Sequence, residues 1–260
     1  MRVLITGGTG FVGAWTAKAV QDSGHDVRFL VRSVERLAAS AGSIGVDVAD
    51  SVLGDISDSA SVTAALDGCD AVIHCAAMVS TDPSRADEML HTNLEGARYV
   101  LGGAAAKGLD PIIHVSSFTA LFRPDLEVLH ADLPVVGGSD GYGKSKAVVE
   151  AYARGLQDGG APVDITYPGM VLGPPAGEQF GEAAEGVEAA IKMRGVGALF
   201  DTIGAYLPFE TPINSAAMHY YTQMPLSDDG PSERELGITQ RDPAETLADT
   251  VAGLRRVGRL

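Results

Sequence analysis

The chain has 260 residues, 45% of them hydrophobic, and a mean hydropathy of +0.11, which suits one substantial buried core and excludes a disordered polymer. Nineteen Lys and Arg against 34 Asp and Glu leave a net charge of −15, so nucleic acid and anionic membrane surfaces are not expected as partners. The two cysteines, Cys69 and Cys75, have no ligand-like spacing around them; neither a disulfide framework nor a metal site is expected, and no run approaches the ~20 apolar residues of a membrane span.

Met1-Arg2 leads straight into Val3-Leu4-Ile5, so no targeting leader or integral membrane segment is expected, and the cytoplasm is the expected compartment. The apolar run then meets Thr6-Gly7-Gly8-Thr9-Gly10-Phe11-Val12-Gly13, spaced so that a strand turns directly into a helix. Gly7 permits the tight turn, Gly10 lets backbone N–H groups approach a pyrophosphate, and Gly13 lets the helix pack close to the strand. A glycine turn of this kind can also be purely structural, and the loop alone does not decide. A helix is expected from Phe11 to Asp22, a strand from His25 to Val31, and a helix from Val34 to Ala41 capped by Ser33. A weaker strand near Ser51-Val52-Leu53 leads into Gly54-Asp55-Ile56, then a helix through Leu66 and a short buried strand over Asp70 to His74.

Asp82 to Ala106 has the spacing of a long helix, weakened by Gly102-Gly103. Pro111 to Val115 is a fifth strand running into Ser116-Ser117; a Pro- and Asp-rich loop follows, then a helix from Tyr142 to about Gln157. Val163 to Tyr167 is a sixth strand, ended by Pro168-Gly169. This alternation predicts an α/β fold, a doubly wound parallel sheet over residues 1–173 with right-handed crossovers. Beyond Gly173 the composition changes: Pro174, Pro175, Gly177 and Gly181 break the regularity before helical segments near Ala183 to Lys192 and Val196 to Leu207. We read 174–241 as a small C-terminal substrate cap and 242–260 as a final amphipathic helix with Pro243 in its first turn.

Chemistry is expected where Tyr142-Gly143-Lys144-Ser145-Lys146 opens a helix. Residues four apart share a helix face, so Lys146 sits beside Tyr142, where its charge favours tyrosinate and makes the phenol an acid/base group. In isolation the pattern reads more readily as an exposed helix start with ordinary charges. The serine pair at the preceding strand end changes that, because strand C-termini line the ligand crevice of a doubly wound sheet. Ser117 is the better partner for a substrate oxygen, with Ser116 as its competitor because alternation makes the choice sensitive to register.

With these residues in hand the chain resembles an extended short-chain dehydrogenase/reductase of the NAD(P)-dependent epimerase/dehydratase type, with a Rossmann domain. The resemblance covers Met1 to about Gly173 and returns weakly at Glu235-Leu236-Gly237-Ile238 and Asp242 to Leu254. It implies a cofactor site made by Gly7, Thr9, Gly10, Phe11, Val12 and Gly13, the adenine-side pair Asp55 and Ile56, the strand-end segment Cys75, Ala76 and Ala77, and Tyr167, Pro168 and Gly169. It places the catalytic set on Ser117, Tyr142 and Lys146, with Asn93 as the helix asparagine. It implies that Tyr142 exchanges a proton with the substrate oxygen, that Ser117 hydrogen-bonds that oxygen, and that Lys146 holds the nicotinamide ribose. Taken singly, Asn93 reads equally as a residue that pins a helix, and Asp55 as one that begins a turn. The resemblance also implies a homodimer formed through the two long helices.

The second strand ends Val31-Arg32-Ser33, with no acid for ribose hydroxyls; Arg32 therefore points to a 2′-phosphate and NADP, with NAD as the alternative and an ordinary surface charge as the bland one. Two departures from the family matter. Its Arg-Pro-Gly stands here as Tyr167-Pro168-Gly169, which weakens recognition of an anionic sugar nucleotide. Its further strand with an Asp-rich turn is not found between about Arg194 and Gly197, so either the cap is truncated or a segment is missing there. The cap supplies Met170, Phe180, Met193, Phe200, Tyr206, Phe209, Met218, Tyr220 and Tyr221 but few cations, namely Lys192, Arg194 and Arg234. The resulting expectation is an NADP-dependent oxidoreductase acting on a neutral, largely apolar ketone or secondary alcohol, as in the dihydroflavonol reductase and hydroxysteroid dehydrogenase subgroups. The alternatives are a sugar-nucleotide epimerase or dehydratase, and a non-catalytic dinucleotide-binding regulator.

Overall fold

Val3, Leu4 and Ile5 are apolar in succession, so their strand can be buried only if both of its faces are covered. The computed structural model, which describes residues 1–80, 82–138, 140–194 and 226–260, puts it at the centre of a six-stranded parallel sheet. The strands are β1 (Arg2–Thr6), β2 (Asp26–Val31), β3 (Ser51–Leu53), β4 (Ala71–His74), β5 (Ile112–Val115) and, after a short β6 (Val128–Leu129) outside the sheet, β7 (Val163–Thr166). Their order is β3-β2-β1-β4-β5-β7. Leu4, Val72, Ile112 and Val163 stand in one register row on one face. They pack against Val100, Leu101, Ala104, Val149 and Ala153, while Val3, Ile5, Phe29 and Val31 meet Ala14, Ala17 and Leu37 on the other face. Each large side chain buried in this way contributes about 1.5–3 kcal/mol of transfer free energy. The order reverses between β1 and β4, which opens a crevice beyond their C-terminal ends.

The helices α1 (Phe11–Asp22), α2 (Val34–Ala39) and α3 (Ser59–Leu66) follow the expected positions, and Ser33 Oγ caps α2 by accepting from the Arg36 N–H at 3.1 Å. The single helix expected over 82–106 is instead divided. A 3-10 turn (Pro83–Arg85) precedes α4 (Ala86–Ala97), a π-helical turn spans Arg98–Gly102, and α5 (Gly103–Lys107) completes it. A Cβ on Gly102 would lie 2.4 Å from the Tyr152 hydroxyl, so the glycine admits that phenol against the widened turn. The next helix, α6 (Gly141–Asp158), begins one residue before the expected Tyr142, where Asp140 accepts from the Gly143 N–H at 2.9 Å. Its buried face carries Ser145, Lys146, Val149, Glu150 and Ala153, so a polar line runs through an otherwise apolar contact.

After Gly173 come α7 (Glu182–Arg194), β8 (Leu226–Ser227), α8 (Gly230–Leu236) and α9 (Pro243–Arg256), the last capped by Asp242. β8 pairs in parallel with β6, and neither that pair nor α8 was expected. The expected helix over Val196 to Leu207, the aromatic and methionine residues Phe200 to Tyr221, and the segment near 194–197 fall on or reach into positions outside the described residues. The chain just beyond Gly173 is fastened to the sheet and its helices: Trp15 Nε1 donates to the Pro174 carbonyl at 2.9 Å, and Gly253 of α9 lies against Pro174 and Pro175 with no room for a Cβ. No helix among the described residues is long and apolar enough to cross a membrane.

Candidate active site at the strand ends

Beyond β1 the chain turns on Gly7, whose φ of +78° lies in the left-handed region that glycine tolerates. Its carbonyl accepts from the Gly10 N–H at 2.9 Å, and a Cβ on Gly13 would come within 2.2 Å of that carbonyl. Only a glycine therefore lets α1 start this close to the strand. At Gly10 the situation is reversed: a Cβ there would meet nothing nearer than 3.4 Å, so the backbone is open on the side where α1 presents its first N–H groups. A cradle tight underneath and bare on top fits the pyrophosphate of a dinucleotide. Thr9 and Val12 are half-buried beside it, and Phe11 is buried against Gly173 and Gly181 at the start of the cap.

The floor of the crevice is a polar row across the sheet. Thr6, His74 and His114 occupy one register line, two residues beyond the apolar row of Leu4, Val72 and Ile112. Thr6 Oγ1 lies 2.7 Å from His74 Nδ1 and accepts from the Ala76 N–H at 3.2 Å, which shapes the strand-end segment of Cys75, Ala76 and Ala77. The His74 and His114 rings stack at 5.9 Å, and both nitrogens of His114 are buried without a hydrogen-bond partner among the described residues. Burial, reinforced by the nearby Lys146 charge, lowers His74 to about 3 and holds His114 well below the ordinary imidazole range. Burial also pushes the Cys75 thiol up to about 12, against an opposing hydrogen bond to Thr16. These residues are neutral walls.

Asn93 is fully engaged. Its Oδ1 accepts from the Met78 N–H at 2.7 Å, and its Nδ2 donates to the Met78 carbonyl at 3.0 Å and to Ser145 Oγ at 2.9 Å. It pins the loop after β4 to α6 in the manner of a structural clamp. Ser117 caps a short 3-10 turn, Phe118–Ala120: its Oγ accepts from the Thr119 N–H at 3.3 Å and the Thr119 hydroxyl at 3.0 Å, which leaves its own O–H to donate elsewhere. Its competitor Ser116 is buried with an Oγ that has no partner among the described residues.

Lys146 is 6% exposed, donates to the Val115 carbonyl at 3.2 Å, and has its ammonium 5.9 Å from the centre of the Tyr142 ring. Burial brings it down to about 8, and Glu150 opposes that shift. Tyr142, Lys146 and Glu150 thus succeed one another along one helix face above the end of β5. Glu150 and its partners escaped the sequence reading, although its place one turn beyond Lys146 was the available signal. The resemblance counts Tyr167 among the cofactor-side positions, and in the structure it bonds to the helix face of Glu150 and Arg154. Its hydroxyl is committed to Glu150 and to Arg154, which donates at 3.0 Å and so brings a guanidinium beside the tyrosine that stands where the family has arginine.

At the other end of the crevice Asp55 accepts from the Ser57 N–H at 2.9 Å and its hydroxyl at 2.8 Å, so it does begin a turn, and these bonds hold its carboxyl below the ordinary range. Ile56 packs into the space that Gly96 leaves on α4. Arg32 projects from the end of β2 with its side chain 78% exposed and 3.9 Å from the Asp55 carboxylate.

A glycine cradle at the switch point of a doubly wound sheet, with a tyrosine and a buried lysine at the adjoining strand end, defines a dinucleotide-binding α/β protein of the short-chain dehydrogenase/reductase class. The chain belongs to the NAD dependent epimerase/dehydratase family, whose sequence model matches residues 3–192. It is 32% identical over 177 residues to sterol demethylase protein B of Methylococcus capsulatus, covering 67% of this chain and 52% of that protein. It is 29% identical over 191 residues to cinnamoyl-CoA reductase 1 of Oryza sativa subsp. japonica, covering 66% and 54%. The chain therefore spans about half the length of these relatives. Its fold is shared with the Bordetella bronchiseptica enzyme WbmG, solved in complex with NAD and UDP: TM-score 0.72, 21% identity, covering 100% of this chain and 96% of that one.

Proposed function

We propose that this protein is an NADP-dependent oxidoreductase acting between a neutral, largely apolar ketone and its secondary alcohol. The observation that carries the reading is the Lys146 ammonium, buried beside the Tyr142 ring at the mouth of the crevice. When bound, the nicotinamide supplies or accepts the hydride. The cradle of Gly7, Gly10 and Gly13 holds the pyrophosphate, and Lys146 donates to the ribose. Tyr142 gives its phenolic proton to the substrate oxygen in reduction and takes it back in oxidation; Ser117 donates its O–H to the same oxygen and fixes its position. The ammonium beside the phenol lowers the cost of the tyrosinate left behind. Asn93 contributes by holding the loop and helix that frame the site.

Two features favour a neutral substrate. Lys192 and Arg259 both pair with Glu188, at 2.5 and 2.9 Å, and Arg259 also covers the Phe180 ring at 4.6 Å, so both cations are already engaged within the protein. Met170 is half exposed. The competing sugar-nucleotide reading is favoured by the fold shared with WbmG, solved with UDP, and predicts tightly retained NAD and binding of a nucleoside diphosphate.

A panel of apolar carbonyl compounds, followed at the nicotinamide absorbance with NADPH and NADH side by side, tests the function. Arg32 is exposed and only loosely held, so it can turn to a 2′-phosphate. NADPH should bind more tightly than NADH, and Arg32→Ala should remove most of the difference, roughly one charge-assisted contact of 1.5–3 kcal/mol. Equal affinities in the parent would sink the NADP assignment. A homodimer through α4 and α6 is also expected, since Val148 leaves an apolar side chain exposed on α6. Light scattering that finds a monomer at micromolar concentration would contradict it.

A further inference from the structure

Glu150 is fully buried, yet no step above uses it. Residues 142, 146, 150 and 154 follow four apart on one face of α6, so Glu150 stands between Lys146 and Arg154. Its Oε1 accepts from Arg154 Nε at 2.9 Å and from the Tyr167 hydroxyl, whereas its Oε2 is buried with no hydrogen-bond partner among the described residues. Arg154 is itself fixed by the Leu133 and Ala131 carbonyls, each at 2.9 Å. Tyr167 donates a hydrogen bond but no charge, so within this cluster Arg154 alone offsets the carboxylate. The groups around the Lys146 ammonium are Cys75, His74 and His114 from the strand ends, with Tyr142 and Glu150 from its own helix. Burial keeps the two histidines and the thiol uncharged, and Glu150 is the carboxylate in the set.

We propose that Glu150 is a positioning residue for Lys146: its carboxylate, clamped by Arg154 and Tyr167, supplies the fixed negative charge that keeps the buried ammonium in place for the cofactor. Arg154 and Tyr167 serve to hold that carboxylate at the right point on the helix face. The proposal rests on the reading of Lys146 as the group that holds the ribose.

The test is the pH dependence of cofactor affinity, which needs no turnover. NADPH is titrated into the parent, Glu150→Gln and Lys146→Ala between pH 6.5 and 9.5, with binding followed by nicotinamide fluorescence. The parent should lose affinity in a step near pH 8, the value to which burial brings Lys146. In Glu150→Gln the step should move down by about one pH unit, weakening binding roughly fivefold at pH 8 and no more than about twofold at pH 6.5. A purely structural loss would weaken binding equally at every pH and leave the step in place; that result, or curves that overlay the parent, overturns the proposal. Lys146→Ala should abolish the step. A step that survives there overturns the ribose-holding role of Lys146 and the proposal with it, whereas an abolished step together with an unshifted Glu150→Gln curve overturns the role of Glu150 alone. Should the unpaired Arg154 unfold the single variant, Glu150→Gln/Arg154→Met removes both charges and is read on the same step.

Discussion

Tyr142→Phe is expected to lower turnover by roughly 10²- to 10⁴-fold, the range over which a positioned acid/base group acts, while NADPH affinity changes no more than about threefold. The ring stays, and with it the packing at the start of α6 and the surface presented to the Lys146 ammonium 5.9 Å away. What disappears is the oxygen to which the proposed function assigns the proton exchange. Ser117 is not expected to replace it: a hydroxyl that accepts two hydrogen bonds from Thr119 is suited to donate to the substrate oxygen, and an aliphatic hydroxyl is a far weaker acid than a phenol. Rates with a responsive ketone and Kd values for NADPH, measured on both proteins, separate a chemical loss from a binding loss. Equal rates would remove Tyr142 from the role of acid.

The second large effect is on stability. His74 and His114 are buried neutral, so above about pH 6.5 neither folded nor unfolded chain protonates them and they add no pH dependence. Below that value the unfolded chain takes up protons that the folded protein refuses. Each histidine therefore removes stability as pH falls from 6.5 towards the depressed folded value, about 3 for His74, with a limiting slope of about 1.4 kcal/mol per pH unit. His114→Leu should flatten the profile by up to one such slope as pH falls below about 6, and should also relieve the cost of two buried nitrogens that have no partner among the described residues, about 1–3 kcal/mol. Urea unfolding at stepped pH reads both. A variant profile parallel to that of the parent would mean that His114 is not kept neutral by the fold.

Local features were legible in the chain itself. The glycine loop could be placed because its three glycines act within one turn, and the Tyr142-to-Lys146 spacing because helix periodicity decides which residues share a face. The strands of the main sheet were found through their continuous apolar runs. Features that depend on register or on distant partners were hidden. His74 and His114 read as ordinary strand residues until β4 and β5 are aligned. The Glu150–Tyr167 bond joins a helix to a strand end that sequence reasoning had given to the cofactor. β6 and β8 are two residues each, too short for any period to register, and the π-helical turn at Arg98–Gly102 follows from how the helix meets Tyr152. Asn93 and Asp55 show the limit differently: each motif position was evident, but the bonds of the asparagine to Met78 and Ser145, and of the aspartate to Ser57, depend on the folded chain.

The pairing of β6 with β8 bears on how this protein could be divided. The Leu226 N–H donates to the Glu127 carbonyl at 3.2 Å and the Asp228 N–H to the Leu129 carbonyl at 3.0 Å, so a segment before α6 is stitched to one beyond α7. Modularity is therefore interleaved along the chain. A cap transplanted from a relative would have to bring two stretches, the loop after Ser117 and the region after Gly173, grafted together on either side of α6 and β7. A single crossover at Gly173 would leave one edge of the two-stranded sheet matched to a partner it had never met, and recombination within such a family should favour exchanges that respect both seams.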